Sequence, residues 1–231
     1  MKKYNISFVL PMFNEAQNIA ESIARVTRLA REIADDYEIV VVDDASNDGS
    51  GGIVDALAFK DIHIKSIKLK KNTKFGGALK EGLKAASKDV VFYTDSDLPA
   101  KDEDMKKGIE LMETSGSDVV SAYSLVIKDS RLKRVIMSKG YNFLVRLLFG
   151  LKMKDINAGL KIYRRHVLKG LDLRSKSPFI DVEIFAEAAK RNCKISQYGL
   201  VFDHRVKGKS TISRPGVVAQ TFWDMLKYRF F

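Results

Sequence analysis

Several features that mark particular protein classes are absent or rare in this chain of 231 residues. Its only cysteine is Cys193, so no disulfide can form within the chain, which is typical of a reducing compartment. No apolar run reaches the roughly 18 residues that a membrane-spanning helix needs. The apolar residues 6–10 near the start are too few for a secretory signal and end at Pro11. We therefore expect neither a disulfide-rich secreted domain nor a membrane span within these residues.

Sequence features that would separate domains are also missing. No repeat, low-complexity tract or Pro/Gly-rich linker divides the chain, so the sequence predicts a single domain over residues 1–231. Neither the Walker nor the Rossmann glycine spacing occurs. His63, His166 and His204 are scattered without the spacing of metal ligands, and we expect them to be structural.

The charge balance is strongly basic, with a net charge of +11. An anionic membrane, a phosphorylated substrate or a nucleic acid would each suit this excess, and solvated lysines are the alternative. A nucleic-acid-binding module would interleave aromatic and basic residues on an exposed sheet face. The basic residues here flank apolar helical stripes instead, so we expect a membrane or phosphorylated partner and no nucleic acid.

Strand-like and helix-like segments alternate through the first half of the chain. Strands are predicted at residues 6–10, 38–42, 62–69 and 90–93, and helices at 15–34, 48–59 and 76–87, with Asn14 capping the first helix. This alternation predicts an α/β fold whose central sheet is mostly parallel and carries helices on both faces. The second half is less regular, with strands predicted at 118–122, 162–163 and 195–202 and helices at 135–151 and 181–190.

Acidic residues follow two of the predicted strands. Asp44 ends the second strand, and Asp95 and Asp97 follow the fourth. Because ligands bind at the carboxyl ends of parallel strands, we expect Asp44 and Asp97 on one edge of the sheet.

The Asp95-Ser96-Asp97 segment has the chemistry of a metal site. Carboxylates at alternate positions of a strand point the same way, and Mg²⁺ and Mn²⁺ prefer such oxygens and commonly bridge diphosphates. Asp95 and Asp97 are therefore candidate ligands of a metal that neutralises a departing nucleoside diphosphate. A solvated polar turn is the alternative for this pair. The polar residues 43–49 likewise predict either a helix-capping turn or a contact with a base or ribose.

Taken in order, residues 11–15, 41–49, 72–82 and 93–98 resemble family 2 glycosyltransferases of the GT-A fold. Residues 155–161, 179–183 and 205–210 are similar to the polyprenyl-phosphate sugar synthases, such as the dolichol-phosphate mannose synthases. The resemblance implies a metal-dependent, inverting enzyme. It would move a mannose- or glucose-type sugar from a GDP- or UDP-linked donor to a polyprenyl or dolichyl phosphate.

The resemblance also implies roles for residues at matching positions. It assigns metal binding to Asp95 and Asp97, and catalysis to these two together with Arg205. The residues that it assigns to the nucleotide-sugar are Pro11, Phe13, Glu15, Val42, Asp44, Asp95, Ser96, Asp97, Arg205 and Lys207.

Some later residues are less clearly assigned. The chain departs from the family pattern at Pro99, Ala122 and Thr211, so Lys207 or Lys209 is expected to meet phosphate charge. For Asp155, Asp181 and Glu183, two roles stay open. They position sugar hydroxyls or basic side chains, or they act as a helix cap and in supporting salt bridges.

The nature of the acceptor decides the expected mechanism. A lipid monophosphate is already anionic and needs little help from a general base, whereas the leaving diphosphate needs its developing charge stabilised. This favours direct displacement with inversion. A family 2 enzyme acting on a glycan or another hydroxyl acceptor is the alternative, and it would need a general base.

Two segments, 131–154 and 216–231, carry apolar stripes bordered by basic residues. The stripe residues are Leu144, Leu147, Leu148 and Leu151 in the first segment, and Phe222, Met225, Leu226 and Phe230 in the second. Such basic amphipathic segments predict peripheral attachment to a membrane, here at its cytoplasmic face, and core-facing helices are the alternative.

Overall fold

The computed structural model describes residues 4–125, 132–202 and 215–231. The strands are β1 (Tyr4–Met12), β2 (Ala34–Asp43), β3 (Ile64–Lys68), β4 (Val90–Thr94), β5 (Val119–Ser124), β6 (Leu160–Arg164) and β7 (Ile195–Leu200). The helices are α1 (Ile19–Ile33), α2 (Ser50–Lys60), α3 (Lys74–Ala85), α4 (Asp102–Ser115), α5 (Leu132–Phe149), α6 (Arg165–Leu168), α7 (Ile180–Lys190) and α8 (Pro215–Phe230).

The strands form one sheet in the order β3-β2-β1-β4-β6-β5-β7. β1 pairs in parallel with β2 and β4, and β3 pairs in parallel with β2. β6 runs antiparallel to both of its neighbours, and β7 is parallel to β5. The predicted mostly parallel α/β fold is confirmed, and the reversed β6 is a feature that the sequence analysis did not anticipate.

Apolar side chains fill a core on each face of the sheet. Phe8 and Leu10 of β1 pack in the core that α1, α2 and α4 cover. Val9, between them, packs in the other core, with α3, α5, α7 and α8. Because central strands are buried on both faces, they read as nearly continuous apolar runs instead of alternating ones. The predicted placement of helices on both faces is confirmed.

The start of the first helix differs from the prediction. α1 begins at Ile19, and Asn14 does not cap it. The Asn14 amide N–H donates to Ser46 Oγ at 2.9 Å, and its side-chain carbonyl accepts the Asn47 N–H at 2.9 Å. Asn14 therefore ties the end of β1 to the loop after β2, because its polar groups find partners outside the helix.

α4 lies where the sequence pattern predicted no helix. Its buried residues Met105, Ile109 and Met112 nevertheless have helical spacing. The three acidic residues 102–104 occupy its first turn, where they favour the positive end of the helix dipole. Both signals are present in the sequence, within a stretch whose overall polarity obscures them.

Glu38 joins three segments at the amino edge of the sheet. Its buried carboxylate accepts hydrogen bonds of 2.6 Å from both Ser7 Oγ and the Ser87 N–H, and Lys65 Nζ lies 2.5 Å away. Burial raises the pKa of Glu38, but the donors from Lys65, Ser7 and Ser87 outweigh it and lower the pKa to about 2. The ionised form therefore stabilises the fold.

We expect this stabilisation to be present above pH 4.5, the ordinary pKa of the group, and to be lost as the pH falls towards about 2. Glu38→Gln should lower the free energy of unfolding at neutral pH by about 1–3 kcal/mol. It should also flatten the dependence of stability on pH in that window. Urea unfolding between neutral and acidic pH measures both effects, with the exposed Glu110→Gln as the matched control. An unchanged pH profile in Glu38→Gln would contradict the assignment.

Candidate active site at the carboxyl edge of the sheet

The carboxyl ends of three neighbouring parallel strands bring the acidic residues to one edge. β1 pairs in parallel with β2 and with β4. Asp44 directly follows β2, and Asp95 and Asp97 follow β4. The prediction that Asp44 and Asp97 share one edge of the sheet is confirmed.

Backbone strain is concentrated at this edge. Five described non-glycine residues have a positive φ, and four of them follow the carboxyl ends of the strands, with φ between 44° and 67°. Asn14, Ala45 and Leu98 lie in loops, and Lys74 is the first residue of α3. Each such conformation costs on the order of 1–3 kcal/mol and persists only where the surroundings impose it. Strain of this kind is typical of ligand-binding sites.

Asp44 is anchored by the loop that precedes α3. Its Oδ1 accepts hydrogen bonds from the Thr73 N–H at 2.5 Å and from Thr73 Oγ1 at 2.8 Å. Burial raises the pKa of Asp44, and the hydrogen bonds from Thr73 oppose that rise. The carboxylate is thus fixed in direction by a segment distant in sequence, as a residue that orients a ligand must be.

The neighbouring acidic residues Asp43 and Asp48 accept hydrogen bonds from backbone N–H groups of the adjoining loops. Asp43 accepts the N–H of Ser46 at 2.9 Å, and Asp48 accepts the N–H groups of Ala16 and Ser50 at 2.9 and 3.0 Å. The contacts of Asp43 and Asp48 fit the capping-turn interpretation of residues 43–49. Asp44 accepts its hydrogen bonds from Thr73 at the start of α3, and its contact with a base or ribose stays a prediction.

The remaining residues predicted to face the nucleoside lie around the same edge. Pro11 of β1 pairs with Val42 of β2, and Phe13 is half-buried just beyond β1. Val42 is fully buried, and a side chain added at Gly82 of α3 would come within 3.2 Å of it. Their contact with a nucleoside stays a prediction.

Glu15 has a clear local role. It is buried, its Oε2 accepts a 2.7 Å hydrogen bond from Asn18 Nδ2, and its backbone oxygen accepts the N–H of Ile19 at 2.9 Å. Glu15 therefore holds the start of α1 against the edge. A cleft of about 160 Å³ lies beside it, lined by Asn14, Glu15, Gln17, Asn18 and Asp48.

Asp95 sits in the most unusual electrostatic environment of the site. Its Oδ1 accepts a 2.9 Å hydrogen bond from the Tyr93 hydroxyl. Burial raises the pKa of Asp95 to about 7, the negative charge of Asp97 adds to the rise, and Tyr93 and Lys161 oppose it. The two carboxylates repel each other and are partly buried, and both conditions make their negative charges unfavourable. A divalent cation bound between them would offset these charges. The donor set therefore fits Mg²⁺ or Mn²⁺.

Gly159 makes room for this carboxylate. The Asp95 N–H donates to the Gly159 carbonyl oxygen at 3.2 Å, so the loop before β6 lies directly against the end of β4. A Cβ at residue 159 would come within 2.1 Å of Asp95 Oδ2. No side chain fits there without moving Asp95.

Lys161 and Asp181 form a buried ion pair beneath the site. Lys161 Nζ lies 3.0 Å from Asp181 Oδ2, with both side chains almost completely shielded from solvent. The same ammonium group donates to the Ala158 carbonyl oxygen at 2.6 Å and lies 5.2 Å from the centre of the Tyr93 ring. Burial raises the pKa of Asp181, and Lys161 opposes that rise. The pair thus fixes the loop that touches Asp95.

Glu183, for which two roles were also left open, makes hydrogen bonds to the backbone. Glu183 accepts the N–H groups of Arg174 and Ser175 at 3.1 Å. Asp181 thus positions a basic side chain and Glu183 fixes a loop, and a contact of either residue with a sugar hydroxyl stays a prediction. Asp155 lies near enough to Asp181 to contribute to its raised pKa.

Some of the predicted site residues lie outside the described ranges. A second group consists of residues that support the candidate site but were not predicted. Arg205, Lys207 and Lys209 lie outside the described residues. Thr73, Tyr93 and Lys161 belong to the second. A lysine between the apolar residues Leu160 and Ile162 of β6 was the available signal, because a buried charge requires a partner.

A mostly parallel sheet with strand-end carboxylates at its carboxyl edge is the architecture of the GT-A nucleotide-sugar transferases. The chain belongs to glycosyl transferase family 2, whose sequence pattern matches residues 7–171. The matched region contains Asp44, Asp95, Asp97 and Lys161 and ends before Asp181.

Named relatives and solved structures agree with this membership. The undecaprenyl-phosphate 4-deoxy-4-formamido-L-arabinose transferase of Shewanella sediminis is 31% identical over 208 residues, which are 85% of this chain and 62% of that protein. Glycosyltransferase AglD of Haloferax volcanii is 27% identical over 95% of this chain and 37% of its own length. The chain thus spans less than two thirds of either relative.

The fold is shared with glucosyl-3-phosphoglycerate synthase of Mycobacterium tuberculosis. Its crystal structure in complex with Mn²⁺, uridine diphosphate and phosphoglyceric acid superposes with a TM-score of 0.74 at 20% identity. The superposition covers 99% of this chain and 79% of the mycobacterial chain.

Gly159→Ala should separate function from stability. The added methyl group would displace the Asp95 carboxylate, which can rotate away without unfolding the protein. We expect near-normal thermal stability together with a loss of Mn²⁺ affinity on the order of 10–100-fold. Gly52→Ala in α2 is the matched control, because no atom lies within 4 Å of its added Cβ. Calorimetric titration with Mn²⁺ measures the affinity, and equal affinities in the two variants would contradict the proposed geometry.

Proposed function

We propose that this protein transfers a sugar, with inversion, from a nucleoside diphosphate sugar to a polyprenyl phosphate at a membrane surface. The observation that carries the proposal is the placement of Asp95 and Asp97 on the same sheet edge as Asp44. In this arrangement Asp44 binds the nucleoside and the Asp95–Asp97 pair meets the diphosphate. The crystal structure of the mycobacterial enzyme with Mn²⁺ and uridine diphosphate supports a divalent metal and a nucleoside diphosphate as ligands, and the name of the Shewanella relative supports the lipid phosphate.

The metal assignment follows from the ligand chemistry of the pair. Asp95 and Asp97 would hold Mg²⁺ or Mn²⁺, and Tyr93 and Gly159 keep Asp95 in place. When bound, such an ion supplies positive charge to the diphosphate leaving group. Arg205 and Lys207 are proposed, from the family resemblance, to contribute further positive charge to the phosphates.

The acceptor determines what the other residues need to do. A polyprenyl phosphate brings its own anionic nucleophile, so the site has to orient it and stabilise the leaving group. In-line attack on the anomeric carbon inverts its configuration and needs no covalent sugar–enzyme intermediate. The donor is proposed to be GDP- or UDP-linked, with a mannose- or glucose-type sugar.

Two neighbouring helices offer a surface for the lipid. The edge of the Tyr141 ring faces the Phe222 ring at 6.1 Å, and the Phe149 and Tyr228 rings lie 5.9 Å apart. α5 and α8 therefore run side by side in the same direction. Several large apolar residues described on the two helices are exposed, and we call them the α5–α8 patch: Met137, Phe143, Leu147, Phe222, Trp223, Leu226 and Phe230.

The patch differs in part from the predicted stripes. Leu151 is buried, and Leu144 and Leu148 pack against the core, so only Leu147 of the first stripe is exposed. Exposed basic residues still border the patch, among them Lys139, Arg146, Lys227 and Arg229. None of the described helices combines the length and the hydropathy of a membrane span. We propose that the patch attaches to the cytoplasmic face of a membrane.

A short series of hydrogen bonds connects α8, which carries part of this patch, to the donor side of the site. Asp224 of α8 accepts hydrogen bonds of 2.6 and 2.7 Å from Ser175 Oγ and Ser177 Oγ. The same loop packs against α3, where the Gly76 N–H donates to the Lys176 carbonyl oxygen at 2.9 Å. α3 follows Thr73, the residue that anchors Asp44. A lipid held at the patch would therefore approach the edge that carries the donor.

Asp97→Asn tests the enzymatic proposal. We expect it to lower sugar transfer by on the order of 100-fold or more. The variant loses a carboxylate ligand of the metal ion, and the positive charge of that ion stabilises the leaving diphosphate. The exposed Asp35→Asn, at the other edge of the sheet, is the matched control. Transfer from UDP- and GDP-sugars is measured with and without Mn²⁺. Activity in Asp97→Asn that equals the control would overturn the metal assignment.

The acceptor is tested in the same assay. Undecaprenyl phosphate, phosphoglyceric acid and a glycan acceptor are offered in parallel to the unaltered protein. We expect transfer to the lipid phosphate, and transfer only to a hydroxyl acceptor would replace the lipid proposal with the alternative family 2 activity.

Membrane attachment gives a separate prediction. Each basic residue near an anionic leaflet contributes about 1 kcal/mol, screened beyond roughly 8 Å at physiological salt, so vesicle binding should weaken steeply as salt is added. Trp223→Glu should reduce co-sedimentation with anionic vesicles several-fold. Phe59→Glu is the matched control, because Phe59 is 94% exposed on α2, away from the patch. Equal losses in both variants, or binding that is insensitive to salt, would rule out the patch.

A further inference from the structure

Three potential metal ligands meet at the edge of the sheet opposite the candidate active site. Asp118 precedes β5, His166 lies in α6 after β6, and Cys193 precedes β7. β5 and β7 are parallel, and β6 is antiparallel to β5, so the start of β5, the end of β6 and the start of β7 share this edge. One carboxylate oxygen, one ring nitrogen and the thiol sulfur all lie within 4.8 Å of one another.

The spacing suits a small tetrahedral ion. Zinc ligands at 2.0–2.3 Å from the metal are separated from each other by roughly 3.3–3.8 Å. His166 Nε2 already lies 3.2 Å from Asp118 Oδ1, so small rotations of the side chains would complete the spacing. The His166 side chain is 61% exposed, which leaves an approach for the ion and for a water ligand.

The backbone around the three residues is well fixed. The second oxygen of Asp118 accepts the Lys194 N–H at 2.8 Å, the kind of supporting contact that orients a ligating carboxylate. The Cys193 N–H donates to the Ala188 carbonyl oxygen at 2.9 Å. Asn192, just before the cysteine, is the one described non-glycine residue with a positive φ that lies away from the candidate active site.

We propose that Asp118, His166 and Cys193 form a second metal site, which takes a zinc-class divalent cation with water in the fourth position. A mixed oxygen, nitrogen and sulfur set favours Zn²⁺ or Co²⁺ over the Mg²⁺ or Mn²⁺ proposed for Asp95 and Asp97. Binding releases the thiol proton, because the thiolate is the ligand. The ion would link the start of β5, the end of β6 and the start of β7, which are the three strands on one side of the sheet.

The Asp118 carboxylate lies beside the Cys193 thiol, and its negative charge favours a cation at this place. The scattered positions of the three residues in the sequence carry no recognisable zinc spacing, and only the fold brings them together.

Cobalt provides a selective probe, because Cys193 is the only cysteine in the chain. Thiolate-to-cobalt charge-transfer absorption in the near ultraviolet can therefore arise only at this residue. We expect the reduced protein to show this absorption at one equivalent of Co²⁺, and Zn²⁺ to displace it. Cys193→Ser should abolish the absorption, and His166→Ala and Asp118→Asn should each weaken cobalt binding at least tenfold.

Two controls separate this site from other metal binding. Asp97→Asn should leave the absorption unchanged, because its carboxylate belongs to the other edge of the sheet. His63→Ala should also leave it unchanged, since His63 pairs with Asp61 elsewhere. No charge-transfer absorption at millimolar Co²⁺, with the thiol shown to be reduced, would overturn the proposal. Absorption of equal affinity in the His166 and Asp118 variants would also overturn it, because cobalt would then bind the thiolate alone.

Discussion

Lys161 carries its ammonium group into the protein interior, 3.0 Å from the Asp181 carboxylate. Burying either charge alone would be strongly unfavourable, and loss of one partner from such a pair typically costs about 3–5 kcal/mol. The pair therefore specifies where β6 and α7 lie relative to each other. Since Lys161 also holds the Ala158 carbonyl oxygen, it fixes the loop whose Gly159 contacts Asp95. The position of the proposed metal ligand thus depends on an ion pair that touches no ligand.

Much of the first half of the fold is predictable from local pattern. The central strands are continuous apolar runs, and the acidic residues that follow them mark the carboxyl edge. The edge shared by Asp44 and Asp97 follows from parallel pairing alone. By contrast, Asn14 looked like a helix cap because capping preference is local, whereas its actual partners, Ser46 and Asn47, come from the next strand–helix connection.

The parts that were not predicted involve contacts between distant segments. The reversal of β6 is not visible in its five residues, because a hydropathy pattern does not give the direction of a strand. The anchoring of Asp44 by Thr73 and the pairing of Lys161 with Asp181 likewise join elements that only the finished sheet brings together. Residue type still signals a requirement in such cases, since a buried lysine must have a partner, but it does not name that partner.

The antiparallel placement of β6 has a consequence for the synthesis of the chain on the ribosome. β1 to β4 are made first, and with them Asp44, Asp95 and Asp97. The strand that completes the sheet beside β4, and the loop that receives Asp95, follow only after α4, β5 and α5 have been made. At a synthesis rate of roughly 5 to 20 residues per second, several seconds separate the two halves of the site. During that interval the nascent chain carries an open β4 edge and an incomplete candidate site. The candidate site is complete only once β6 has paired with β4, and until then the exposed edge is a surface that a ribosome-associated chaperone would cover.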